Sequence, residues 1–121
     1  MNDDRIDRLG QAVAWARREL EEDILPWWER YARDLPSGGF FAHIDNAGCG
    51  QRELPRSVVM VSRFLWTYAA AARQLHAPAY LDFATYAYRY LVGHFVDREY
   101  GGVFWAVNPD GSPAISKKQV Y

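Results

Sequence analysis

Few residues in this 121-residue chain are placed to do chemistry: Arg63, the three histidines His43, His76 and His94, and the neighbouring carboxylates Asp97 and Glu99. Arg63 lies in the middle of Ser-Val-Val-Met-Val-Ser-Arg-Phe-Leu-Trp-Thr-Tyr-Ala-Ala-Ala-Ala-Arg-Gln-Leu, residues 57–75. A guanidinium keeps its charge, so on an apolar helix it must meet a carboxylate, line a polar cavity or snorkel to water. Histidine is the usual general base near neutral pH. Here, however, His43 falls on an extended run, His76 in a loop and His94 near a helix end, positions that suit surface or half-buried side chains. Asp97 and Glu99 stand two apart beside a turn, where carboxylates pin backbone N–H groups more readily than they form a hydrolytic dyad. No His pair has metal-ligand spacing, and neither a Gly-rich phosphate loop nor a Ser-His-Asp set is present.

The elements that must position these groups are mainly helices. Ser57 is a good N-cap and no Gly or Pro interrupts residues 58–75, which predicts a helix of about five turns. Its apolar residues fall on nearly every side, so it is expected to be enclosed by other helices. Ile6, Leu9, Val13, Ala16, Leu20 and Ile24 recur at spacings of three and four, predicting a helix over 3–33 that kinks or restarts at Pro26. A third helix is predicted over 79–95, with Pro78 in its first turn, packed antiparallel to the second through a short connection. Short extended pieces are expected near 40–44 and 103–107.

A pattern repeats along the chain. Gly38-Gly39-Phe40-Phe41-Ala42-His43-Ile44-Asp45-Asn46-Ala47-Gly48 is echoed by Gly101-Gly102-Val103-Phe104-Trp105-Ala106-Val107-Asn108-Pro109-Asp110-Gly111, an offset of 101 − 38 = 63 residues. Each is a Gly-Gly pair, an aromatic extended run, an Asp/Asn turn and a Gly. Each follows a helix and leads through a loop towards another, the second of them expected to start at Ser116. Repeats of this kind mark supersecondary units that bury their faces against neighbours.

The formal net charge is −1, from 14 basic and 15 acidic residues, which leaves no electrostatic footprint for nucleic acid or an anionic membrane. The single Cys49 excludes an internal disulfide framework and fits a reducing compartment. The charged N-terminus has no apolar run behind it, so neither a signal peptide nor a membrane span is expected and a cytoplasmic location is the default.

Several stretches resemble the N-terminal part of the N-acylglucosamine 2-epimerase superfamily, and most of all its cellobiose 2-epimerases. They are Ile24-Leu25-Pro26-Trp27-Trp28, Gly38-Gly39-Phe40, Val61-Ser62-Arg63-Phe64-Leu65-Trp66, Asp97-Arg98-Glu99-Tyr100-Gly101-Gly102-Val103-Phe104-Trp105, Asp110-Gly111-Ser112-Pro113 and Lys118-Gln119-Val120-Tyr121. They stand in the family's order over almost the whole chain. The resemblance implies an all-α fold, an (α/α)6 barrel of which residues 1–121 supply roughly the first third as a single incomplete domain. It further implies a mono- or disaccharide substrate whose C2 proton is removed and returned through an enediolate, with no cofactor or metal.

By the same resemblance, Arg63 is the catalytic cation of the Ser-Arg-x-x-Trp position and Tyr121 a substrate-binding tyrosine that bonds a sugar hydroxyl. The family's acid and base histidines lie beyond residue 121, so the chain alone is expected to be inactive. Arg56 stands where relatives often carry Lys. Two other classes of function remain open: a hydrolase or lyase on the same barrel, and a helical interaction module without catalysis. An incomplete ring would also leave apolar helix faces through which the chain could self-associate.

Overall fold

The computed structural model describes residues 2–120, in two compact units: one that ends at Arg30 and a larger one that starts at Tyr31. The first unit is helical. Helix α1 (Asn2–Glu19) has Asp3 and Asp4 in its first turn and Arg17 and Arg18 in its last, the charge order that suits the helix dipole. Exposed Asp4–Arg8 and Arg17–Glu21 pairs, at 2.8 and 3.0 Å, add only a few tenths of a kcal/mol each.

The break expected around Pro26 is present, with a distorted turn directly before it. Pro26 cannot donate to the carbonyl four residues back and its ring crowds that group. The chain answers by widening Leu20–Ile24 into a π-helical turn, closed by Leu25 N–H donating to the Leu20 carbonyl, before helix α2 (Leu25–Tyr31) continues.

In the second unit a long loop leads to strand β1 (Arg56–Ser57) and helix α3 (Val58–Gln74). The backbone of Ser57 is extended and its hydroxyl accepts from Met60 N–H at 3.1 Å, the cap expected of it. Helix α4 (Ala79–Tyr90) follows a short turn and continues as a π-helical turn over Leu91–Phe95. Phe64 meets Phe83 at 5.6 Å and Tyr68 meets Tyr80 at 5.6 Å, so α3 and α4 run antiparallel. Strands β2 (Ala106–Val107) and β3 (Pro113–Ile115) complete an antiparallel sheet of order β1-β2-β3, which the sequence did not reveal. Of the expected extended pieces, 103–107 supplies β2, whereas 40–44 makes only isolated bridges, Phe40 with Arg33 and Ile44 with Gly50.

The core of this unit gathers Phe40, Val61, Tyr68, Phe83, Ala87, Phe95 and Val107, all buried. The Phe40 ring stacks on Phe64 at 4.7 Å and meets Phe83 and Tyr86 at 5.4 Å each. Within the described residues helix α3 is covered on one side only. Val61, Tyr68 and Ala71 are buried, while Ser62, Arg63, Trp66 and Ala69 are exposed, Trp66 by 74%. The apolar periphery of α3 therefore belongs to two surfaces, one packed on α4 and the loops and one open.

The repeat is real in three dimensions. Asp34 N–H donates to the Gly39 carbonyl at 2.9 Å, as Asp97 N–H does to Gly102 at 2.9 Å. Phe41 N–H donates to Ala32 at 2.9 Å and Phe104 N–H to Phe95 at 2.8 Å; Gly48 closes on Asp45 at 3.0 Å and Gly111 on Asn108 at 2.9 Å. Every pair is 63 residues apart. The helix expected to start at Ser116 is absent over 116–120. The register explains why: Ser57, the cap of α3, corresponds to position 57 + 63 = 120, so 116–120 match the loop and strand that precede a helix.

Candidate active site

Two corners of the chain converge on the N-terminus of α3. The first corner, residues 34–40, holds it through Arg56. The Arg56 guanidinium donates Nη2–H to Asp34 Oδ2 at 2.5 Å and Nε–H to the Phe40 carbonyl at 3.1 Å, with both charged side chains wholly buried. Asp34 also accepts from Ser37 N–H at 3.3 Å and lies 3.5 Å from the exposed Arg52. A buried carboxylate so thoroughly bonded is a structural anion, held in the low-dielectric interior by the partner that neutralises it.

The second corner holds α3 by backbone. Arg56 and Ser57 pair with Val107 and Ala106, and Val58 N–H donates to the Trp105 carbonyl at 2.9 Å. This corner carries its own ion pair: Lys118 Nζ donates to Asp97 Oδ2 at 2.6 Å and to the Gly101 carbonyl at 3.0 Å. The other Asp97 oxygen accepts from Glu99 N–H at 3.0 Å and Tyr100 N–H at 3.1 Å, so Asp97 pins the turn as expected. The Lys118 ammonium, followed by the Tyr100 and Glu99 N–H groups, holds the Asp97 carboxyl below the usual carboxylate range.

Arg63 follows Val58 by five residues, about 7.5 Å along the helix axis at 1.5 Å per residue. It is exposed and, among the described residues, its side chain makes no hydrogen bond or ion pair. Of the environments expected for Arg63, a carboxylate partner, a polar cavity or water, it has water. A shallow groove of about 760 Å³ runs along the same helix, bordered by Ser62, Leu65, Trp66, Ala69 and Arg73. Tyr121, the other expected site residue, lies outside the described residues.

A second recess, of about 570 Å³, opens between the first corner and α4. Gly39, Tyr86, Arg89, Tyr90 and His94 border it, and burial pushes the Tyr86 and Tyr90 phenols above their ordinary pKa. His43, His76 and His94 are all exposed and dispersed. Among the described residues no three His, Cys, Asp or Glu side chains gather to hold a metal ion, and no helix is long and apolar enough to cross a membrane.

Sequence reasoning missed the Asp34–Arg56 pair, although its signal was present. Extending the repeat upstream aligns Asp34 with Asp97, each four residues before its Gly-Gly pair. A basic residue then follows each at nearly the same distance, Arg56 after 22 residues and Lys118 after 21.

The chain is similar to proteins of one kind. It is 43% identical to the cellobiose 2-epimerase of Bacteroides fragilis over 109 residues, covering 87% of this chain and 27% of that protein. It is 34% identical to the cellobiose 2-epimerase of Ruminococcus albus, covering 90% of this chain and 28% of the relative. The structure of cellobiose 2-epimerase from Spirochaeta thermophila superposes with a TM-score of 0.82 at 34% identity, over 90% of this chain and 27% of that one. The chain thus spans about a quarter of the length of these relatives, and its fold is part of an (α/α)6 barrel. The N-acylglucosamine 2-epimerase (GlcNAc 2-epimerase) family profile matches residues 39–121, and the chain belongs to that family.

Proposed function

We propose that this chain is the N-terminal part of a sugar 2-epimerase acting on the reducing end of a mono- or disaccharide of the cellobiose type. Epimerisation at C2 removes a weakly acidic proton next to C1 and leaves negative charge on an enediolate oxygen, which a fixed cation stabilises. In this reading Arg63 supplies that cation and Tyr121 bonds a sugar hydroxyl. The base and acid that move the C2 proton come from outside residues 1–121, so the chain alone has no turnover and its exposed apolar helix faces favour self-association. The observation that carries the reading is the state of Arg63. It is an exposed guanidinium without a carboxylate partner among the described residues, on a helix anchored from both corners, in a chain whose relatives are cellobiose 2-epimerases.

The test is Arg63→Lys in the whole protein, with cellobiose as substrate. Lysine keeps the charge but not the forked donor geometry. Loss of a preorganised donor at a developing oxyanion lowers kcat by roughly 10²–10³-fold. The expected result is a fall of that size at a nearly unchanged melting temperature. A variant that keeps most of its turnover but melts many degrees lower makes Arg63 a scaffold residue.

A further inference from the structure

Arg63 sits between two anchors that share one origin. Upstream, Arg56 is tied to Asp34 and to the carbonyl of Phe40. Downstream, Phe64, the residue directly after Arg63, stacks on the ring of that same Phe40 at 4.7 Å, with the planes 23° apart. Phe40 is fully buried and its neighbour Gly39 accepts a hydrogen bond from the Tyr86 hydroxyl at 3.0 Å, so the platform itself has little freedom. The first corner therefore grips α3 on both sides of the residue that would touch substrate, once through its backbone carbonyl and once through its ring.

A guanidinium that must meet an oxyanion tolerates little error, because a displacement of about 1 Å in a reacting group can lower the rate by about 10²-fold. The buried ion pair is an expensive way to hold a helix start, since an apolar pair of equal volume is often as stable. What the pair adds is geometry: one guanidinium donates to two fixed acceptors, Asp34 Oδ2 and the Phe40 carbonyl, so the link is directional. The second corner uses an ion pair of similar plan, its cation one position earlier in the repeat, but leaves it half open to water.

From this arrangement we infer that Asp34 and Arg56 are positioning residues for Arg63, holding the first two turns of α3 at the setting that catalysis requires. The inference rests on the reading of Arg63 as the catalytic cation. Arg56→Gln is the informative change, because an amide removes the charge opposite Asp34 and cannot reach both Asp34 and the Phe40 carbonyl as the guanidinium does.

The experiment is a double-mutant cycle in the whole protein, with cellobiose as substrate: wild type, Arg56→Gln, Arg63→Lys and the double variant. If Arg56 acts through Arg63, Arg56→Gln lowers kcat about 10–10²-fold with KM changed less than about twofold, and lowers it no further in the Arg63→Lys background. The same fall in both backgrounds, or no fall in either, overturns the positioning role. Full turnover in Arg63→Lys alone overturns the reading of Arg63, and that arm identifies the failure as belonging there. If Arg56→Gln does not fold, Phe64→Leu removes the other anchor while leaving the ion pair intact, and the same cycle is read on it.

Discussion

The two corners of this chain share one backbone plan and differ in how deeply it is buried. In both, an Asp backbone closes on the second glycine of a Gly-Gly pair and the Asp side chain meets a cation 21 or 22 residues later. In the first corner both partners are 0% exposed, and Arg56 also donates to the Phe40 carbonyl. In the second, Lys118 is 36% exposed and Asp97 9%. The same hydrogen-bond pattern thus serves as a buried lock in one place and a solvated pin in the other. A turn's geometry is local, whereas the energetic weight of the charge it carries is decided by what packs over it.

The sharpest way to break this comparison is to remove the two cations. Arg56→Ala strands the buried Asp34 carboxylate and should destabilise the chain by about 3–5 kcal/mol, less whatever Arg52 recovers by swinging in. Lys118→Ala should cost far less, because the Asp97 carboxylate keeps its two backbone N–H donors and some access to water. Urea unfolding of the two variants measures the difference; equal losses would mean that burial does not distinguish the corners.

The paired glycines give the next largest contrast. Gly39 and Gly102 have φ of +74° and +72°, the left-handed region where an added Cβ costs roughly 1–2 kcal/mol. At Gly39 that Cβ would lie 2.2 Å from Cζ of the buried Tyr90, whereas at Gly102 its nearest neighbour is the flexible Lys118 Cδ at 3.5 Å. Gly39→Ala should therefore lose a further 1–3 kcal/mol, roughly, through overpacking, and Gly102→Ala the backbone strain alone. Thermal melts that rank the two the other way would show that the ring above Gly39 can move.

Acid separates the corners more gently. The Asp97 pKa is depressed in the folded chain, so its contribution is present above the ordinary carboxylate range and is lost as pH falls through the folded value. Asp97→Asn should flatten the stability profile between about pH 5 and pH 2. An unchanged profile would mean that Lys118 does not engage Asp97 in solution.

The smallest effect is alkaline. Tyr86 and Tyr90 beside the first corner have raised pKa values, so their contribution is present below the unfolded value of about 10 and is lost as pH rises above it. The buried Tyr90 hydroxyl has no hydrogen-bond partner among the described residues. Tyr90→Phe should therefore change neutral stability little and soften the alkaline loss. A marked loss at neutral pH would reveal a partner for that hydroxyl.

Much of the fold was legible because its signals are local. Ser57 caps α3 through its own side chain, the link at Ala77–Pro78 is too short for anything but an antiparallel neighbour, and the Gly-Gly repeat returns with every turn bond in register. The break expected around Pro26 is there, since the π turn at Leu20–Ile24 ends where α2 starts at Leu25. The helix start read at Ser116 is wrong, because the repeat register puts the equivalent of the Ser57 cap at position 120. What local pattern did not show was the Asp34–Arg56 pair, whose partners lie 22 residues apart.

By itself, then, the sequence determined the helices, the repeat and the family, because periodicity, caps, glycines with left-handed backbone and motif order are properties of neighbouring residues. Only the tertiary structure decided which arginine is buried and which is exposed. Arg56 and Arg63 lie seven residues apart and are chemically identical. Arg56 is buried with its guanidinium bonded to Asp34 and to the Phe40 carbonyl, 22 and 16 residues earlier, and the Arg63 side chain is exposed and without an ion pair among the described residues. Burial is a sum over distant contacts, and no local pattern contains it.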